Sequence, residues 1–251
     1  MNSQQLTPII TILKEVGQIN SIASTLSWDR ETYMPARAIQ DRADQESYIA
    51  KLSHDKLTSS EFKSELSKLI SLETGDVRAD IVSSEQQQFI LEVYRDYQHA
   101  SALPSAFVAE YSRVTSQSQH FWGIAREEGD FNIFLPWLEQ VIALNQEKAA
   151  YINPKSMPYN TLLDLYEPTM TTAIIDPLFD ELKEYTIAVL YDLQTENKPT
   201  VMGDGIFPVD AQWEFGLKMV KKMGFDFESG RQDRSIHPFT TRLGPHDVRI
   251  T

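Results

Sequence analysis

The sequence contains no cysteine. That one absence excludes disulfide frameworks, cysteine-ligated zinc and cysteine nucleophiles. No stretch approaches the roughly 20 apolar residues of a membrane span. Met1 to Thr7 is polar and has no basic run ahead of an apolar core, so no secretory signal is read there. No N-x-S/T sequon occurs. Basic residues are scarce: 23 Lys and Arg stand against 36 Asp and Glu, a formal net charge of −13 over 251 residues. Such a surplus of negative charge argues against nucleic acid and against an anionic membrane as partners, because both would repel it. The expected setting is a reducing one, the cytoplasm.

The common chemical signatures are missing as well. The histidines are His54, His99, His120, His237 and His246, and none pairs with another at i, i+4. The H-E-x-x-H zinc helix is therefore absent from these residues. There is no phosphate-binding G-x-x-x-x-G-K-[ST], and Met202-Gly203-Asp204-Gly205 offers only G-x-G, which reads as a plain loop. G-x-S-x-G is absent, so no nucleophile elbow is expected. Acidic pairs such as Glu127-Glu128 and Asp180-Glu181 read as solvated helix faces in so acidic a chain.

What is present is helical periodicity. Leu6, Ile9, Leu13, Val16, Ile19, Ile22 and Leu26 recur at steps of three and four, which places them on one helix face. Thr7 and Pro8 read as N-cap and first helical residue. Pro35 predicts a break over Ser27–Pro35. A second helix is predicted over Ala36–Lys51. Thr58-Ser59-Ser60-Glu61 reads as a capping box ahead of Phe62, Leu66, Leu69 and Leu72, with Gly75 as the stop. Further helices are predicted over Ile81–Ala100, Ala106–Glu128, Phe131–Tyr151 and Ala173–Thr195. Pro136 calls for a first turn or a kink. After a loop at Gly203, Gly205 and Pro208, Asp210 reads as the cap of a helix over Ala211–Met223 that Gly224 closes.

The C-terminal segment differs. Gly230 to Pro245 has little periodicity but holds Arg231, Asp233, Arg234 and His237. Asp247-Val248-Arg249-Ile250-Thr251 alternates as a strand does, and Asp247, Arg249 and Thr251 share one face. No strong partner strand is legible upstream. Arg presents a fixed fork of donors that suits a carboxylate. A salt-bridged edge strand explains the same residues.

These residues also resemble a family. His237-Pro238-Phe239, then Asp247-Val248-Arg249-Ile250-Thr251, are similar to the H-P-F and D-x-R-x-T signatures of the carboxypeptidase Taq family of zinc metallocarboxypeptidases. Trp28-Asp29 with Thr32, Met34 and Pro35 resembles its W-D-x-x-T-x-M-P segment. Tyr159, Leu162-Leu163-Asp164, Tyr166-Glu167-Pro168 and Met170-Thr171 resemble another. Trp122, Ala125-Arg126, Asp130-Phe131 and Phe134 fit in order between them.

The resemblance implies a mainly α, multi-helix fold like the N-terminal half of such an enzyme, ending in a β-strand. It implies a single helical region over 1–251, an incomplete part of a metallocarboxypeptidase catalytic domain. The family removes C-terminal residues from peptides with zinc held by H-E-x-x-H and a later glutamate. Those ligands are not among these residues, so the expectation is no bound zinc, no metal ligand, no catalytic residue and no activity for this chain alone. Peptide C-termini are the implied substrate class and a homodimer the implied assembly. The residues carried over as substrate-binding are His237, Phe239, Asp247, Arg249 and Thr251. Arg249 is open to two readings, a cation for a peptide carboxylate or an ion pair with Asp247. The other reading of the chain is a non-catalytic helical binding or dimerisation module derived from that family.

Overall fold

A computed structural model describes residues 5–78, 81, 83–196 and 205–251. The chain divides into two compact units, Met1–Ile152 with Phe227–Thr251, and Asn153–Asp226.

In the first unit, α1 spans Thr7–Thr32. Its apolar stripe buries Ile9, Ile12 and Val16. The N-cap is Leu6 and not Thr7, and no side chain caps the helix. Leu6 is itself buried in the core beside Ile9 and Ile12, so packing fixes this end where a side-chain cap would otherwise do so. The predicted break at Ser27 comes later. The α1 helix carries Trp28 and Asp29 in its last turns and ends at Tyr33, whose N–H donates to the Asp29 carbonyl. Pro35 disfavours helix only at the residue before it, so it cannot reach back to Ser27.

A single 3₁₀ turn, Ala36–Ala38, leads into α2, Ile39–Leu57. Helix α2 packs against α1 and against α5, Ser105–Glu128. Ala43 is fully buried along it. The Ser47 hydroxyl ties α2 to α5 by donating to the Ala109 carbonyl at 2.7 Å.

Helix α3 is Ser60–Ser67, and its cap is Ser59, one residue later than the capping-box reading. The Ser59 hydroxyl accepts the Phe62 N–H at 3.1 Å. The helix stops short of Leu72 because Leu69 and Ile70 turn inward to the core and Ile70 pairs with Val77 in an antiparallel bridge. Gly75, at φ +77°, makes the turn between them. Helix α4, Ser84–Ala102, adds Ile90, Val93, Tyr94 and Tyr97 to the same core. Phe62 stacks on Tyr97 with ring centroids 5.9 Å apart.

The α5 helix ends at Gly129, which takes the left-handed φ of +67°. Another 3₁₀ turn, Phe131–Ile133, precedes α6, Leu135–Ile152. Pro136 therefore sits in the first turn, where a missing N–H costs nothing.

The strand prediction at Asp247 holds, but two more strands accompany it. β1 is Gly230–Gln232, β2 is Thr240–Gly244 and β3 is Asp247–Ile250. Their order is β1-β3-β2. The β3 strand is thus central, parallel to β1 and antiparallel to β2, not an edge strand without partners. The partners escaped the sequence because β1 is three residues long and a bulge between Arg242 and Gly244 breaks the alternation of β2. The sheet packs by β2 on α1.

The second unit holds α7, Pro158–Asp164, α8, Thr172–Glu196, and α9, Val209–Lys222. Helix α9 is capped by Pro208, with Asp210 inside its first turn and not at the cap. Gly224 closes it at φ +93°. Of the predicted loop, Gly205 and Pro208 precede α9, and Gly203 lies outside the described residues. Among the described residues of this unit only Thr161 is buried. Leu178, Phe179, Leu182, Leu190 and Leu193 of α8 are all more than half exposed. Among the described residues, no helix is long and apolar enough to cross a membrane.

Candidate functional site

The sheet and the last turn of α1 build one cluster of charge and aromatic surface. Trp28 leaves α1 and is buried, 8% exposed. Arg249 on β3 lays its guanidinium over the Trp28 ring, Cζ 4.4 Å from the centroid. Arg231 on β1 approaches the same ring at 5.3 Å and the Tyr33 ring at 5.6 Å. Arg231 and Arg249 are register partners on the parallel strands, so both leave the same face of the sheet.

Each arginine is gripped by a carboxylate two residues along the chain. Arg249 donates from Nε and Nη2 to the two oxygens of Asp247, the second at 2.8 Å. Arg231 donates from Nε and Nη2 to Asp233, the first at 2.7 Å. Such fork-to-fork pairs fix orientation as well as charge. The Tyr33 hydroxyl donates to Asp233 Oδ1 at 2.5 Å. The Asp233 side chain is almost wholly buried.

The ion pairs move the titrations as expected. The Arg249 guanidinium holds the Asp247 carboxyl below its ordinary range, and Asp247 in turn raises Arg249. Asp233 raises Arg231. Tyr33 is raised, first because its hydroxyl is engaged by Asp233. All of these shifts favour the charged pairs and the neutral phenol near neutral pH.

The sequence-predicted residues fall into three groups. Asp247 and Arg249 join this cluster as a mutual ion pair. Thr251 serves the ladder: its hydroxyl accepts the Phe239 N–H at 2.9 Å and its own N–H donates to the Phe239 carbonyl at 3.0 Å. Phe239 is thereby fixed at the entry to β2 and is half-buried. His237 lies apart from the cluster. It lines a cleft of about 270 Å³ with Ser118, Gln119, Trp122 and Phe134. Its ring meets Trp122 edge-on at 6.3 Å. Arg126 lies over the Trp122 ring, Cζ 5.6 Å from the centroid, and donates to the Ile236 carbonyl at 2.7 Å.

Trp28, Tyr33, Arg231 and Asp233 were not singled out as site residues from the sequence. One signal for two of them existed. Arg231-x-Asp233 mirrors Asp247-x-Arg249, the spacing that puts both charges on one face of a strand. Nothing local could have announced Tyr33, which lies 200 residues from its partner Asp233.

Among the described residues, no group of three or more His, Asp or Glu could hold a metal ion. The cluster's own groups, guanidinium, carboxylate, phenol and indole, supply binding and orientation.

A family model for the carboxypeptidase Taq (M32) metallopeptidases matches residues 9–251. Carboxypeptidase 1 of Bacillus subtilis is 32% identical over 244 residues, covering 96% of this chain and 47% of its own length. Thermostable carboxypeptidase 1 of Thermus thermophilus is 32% identical over 254 residues, covering 97% of this chain and 49% of its own. The BsuCP crystal structure superposes with a TM-score of 0.88 at 30% identity, over 98% of this chain and 49% of that one. The M32 carboxypeptidase from Deinococcus radiodurans superposes with a TM-score of 0.76 at 31% identity, over 99% and 49%. The chain spans about half the length of the curated relatives it matches.

Proposed function

The chain belongs to the carboxypeptidase Taq (M32) metallopeptidases, and from that premise we propose that it serves a zinc metallocarboxypeptidase that removes C-terminal residues from peptides. Its own part in that chemistry is recognition. The observation that carries this reading is the Asp247–Arg249 pair held face-on against Trp28. Asp247 takes one edge of the guanidinium and leaves donors on the other, which suits a peptide carboxylate. Thr251 holds the strand that carries Arg249 by pairing with Phe239 at the entry to β2, and His237 is proposed to contact the peptide from its separate cleft beside Trp122. The zinc ligands are not among the described side chains, so the 251 residues on their own are proposed to bind without cleaving. The setting proposed is the cytoplasm.

The test compares peptides that differ only at the C-terminus. The purified chain, supplied with equimolar zinc, is titrated with a peptide acid and its amide while released amino acid is measured. Preference for the acid without release is the expected result. Equal binding of acid and amide would overturn the recognition role. Release of amino acid at enzymatic rates would overturn the assignment of binding alone.

A second reading is favoured by the second unit. Its helix α8 leaves Leu178, Leu182 and Leu193 exposed along one stripe. Apolar faces of that kind mark interaction surfaces. A helical binding or dimerisation module is the reading this supports, and sedimentation of the purified chain across a concentration series tests it. A monomer at every concentration would remove the dimer.

A further inference from the structure

We propose that Arg231 joins Arg249 as the second cation of one carboxylate-binding site on the sheet face, with the buried indole of Trp28 as the floor that holds both. The inference rests on the metallocarboxypeptidase reading for the identity of the carboxylate, a peptide C-terminus.

Two like charges side by side on neighbouring strands destabilise a sheet. Arg231 and Arg249 stand in that arrangement, Cα partners of the parallel β1–β3 pair. Parallel neighbours lie about 4.8 Å apart, so the repulsion is not removed by distance. Arg231 accordingly opposes the charged form of Arg249. The fold tolerates the pair by giving each arginine its own carboxylate and one shared aromatic surface. A buried indole within reach of both cations is an efficient floor, since the ring attracts each of them.

The grips are also incomplete in the same way. Arg249 spends Nε and Nη2 on Asp247. Arg231 spends Nε and Nη2 on Asp233 and Tyr33. Among the described residues, Nη1 of neither arginine carries a hydrogen bond. The side chain of Arg231 is 49% exposed and that of Arg249 18% exposed, so solvent or a ligand reaches both. An incoming carboxylate would meet two oriented donors and relieve the repulsion between them.

The test uses the full chain with ¹⁵N-labelled arginine, and N-acetylalanine and its C-terminal amide as probes. The acid is expected to shift the Nε–H resonances of both Arg231 and Arg249, and the amide neither. Arg231→Gln is expected to weaken binding about tenfold, the loss of one charge-assisted contact. Arg231→Lys keeps the charge without the fork and is expected to fall between the two. Trp28→Leu is expected to weaken binding at both arginines, with Trp28→Phe restoring most of it. Should Arg231→Gln fail to fold, the wild-type resonances decide alone. A shift confined to Arg249 would overturn the role of Arg231 and leave the recognition role of Arg249 standing. No shift at either arginine would overturn both.

Discussion

Asp233 is the most exposing place to perturb the cluster. Its side chain is 3% exposed, while its partner Arg231 is 49% exposed. Asp233→Asn keeps the shape and removes the charge. One oxygen of the fork becomes an amide nitrogen, which would face a guanidinium donor instead of accepting from it. Hydrogen bonds to charged groups contribute about 1.5–3 kcal/mol each. The exposure of Arg231 screens the pair and pulls the expected cost down to about 1–2 kcal/mol. At about 2–4 °C per kcal/mol for a chain of this size, the melting temperature should fall by about 2–8 °C. Tyr33→Phe removes two bonds from a largely exposed phenol, the one its hydroxyl donates to Asp233 and the one it accepts from Arg231, so about 1 kcal/mol is expected. The two changes should not add, because both act through the same carboxylate. The titration of Tyr33 gives an independent readout. Its folded value lies above the ordinary 10.0. The stability it adds is therefore fully present below that value and is lost as pH rises through the raised one. In Asp233→Asn the Tyr33 ring carbon, followed by NMR, should titrate closer to the ordinary tyrosine range. An unchanged Tyr33 titration together with an unchanged melting temperature would refute the network.

Phe62 is fully buried and stacks on Tyr97, so Phe62→Ala should cost about 3–5 kcal/mol in a urea titration. Gly129→Ala should cost about 1–2 kcal/mol by the same measurement; a Cβ there meets no atom within 4 Å, so the whole cost is the left-handed backbone at φ +67°. Asp247 titrates below its ordinary value of 3.8. The stability from its pair with Arg249 is present above that value and lost as pH falls through the lowered one. Asp247→Asn should therefore flatten part of the acid side of the stability profile while leaving its alkaline side unchanged, as followed by circular dichroism.

The helices were legible because their signals are local. Leu6, Ile9 and Val16 of the predicted stripe are buried, while Ile22 farther along it is exposed and Ile12 enters the core instead; the helix predicted over Ala106–Glu128 ends at Glu128 as read. Helix starts were less legible, because packing replaced chemistry at Leu6 and the serine that caps α3 was one residue from the expected one. Half of the cluster was legible too. Asp247 and Arg249 announce themselves by alternation on one strand. The other half depends on register: Arg231 reaches Trp28 only because β1 pairs with β3 across an unreadable number of intervening residues. Short strands carry little pattern, and no sequence window contains both Tyr33 and Asp233.

The strand order has a consequence for synthesis. β1 and β2 make no ladder with each other, since β3 lies between them. While the ribosome is still adding residues after Gly244, both earlier strands have unpaired backbone edges and Arg231 has no Arg249 beside it. The helices can form as they emerge, but the two-arginine surface has to wait for β3, which is made after both of its neighbours. Its assembly depends on the four residues of β3, which close the ladder on both sides at once and so set when the site comes into being.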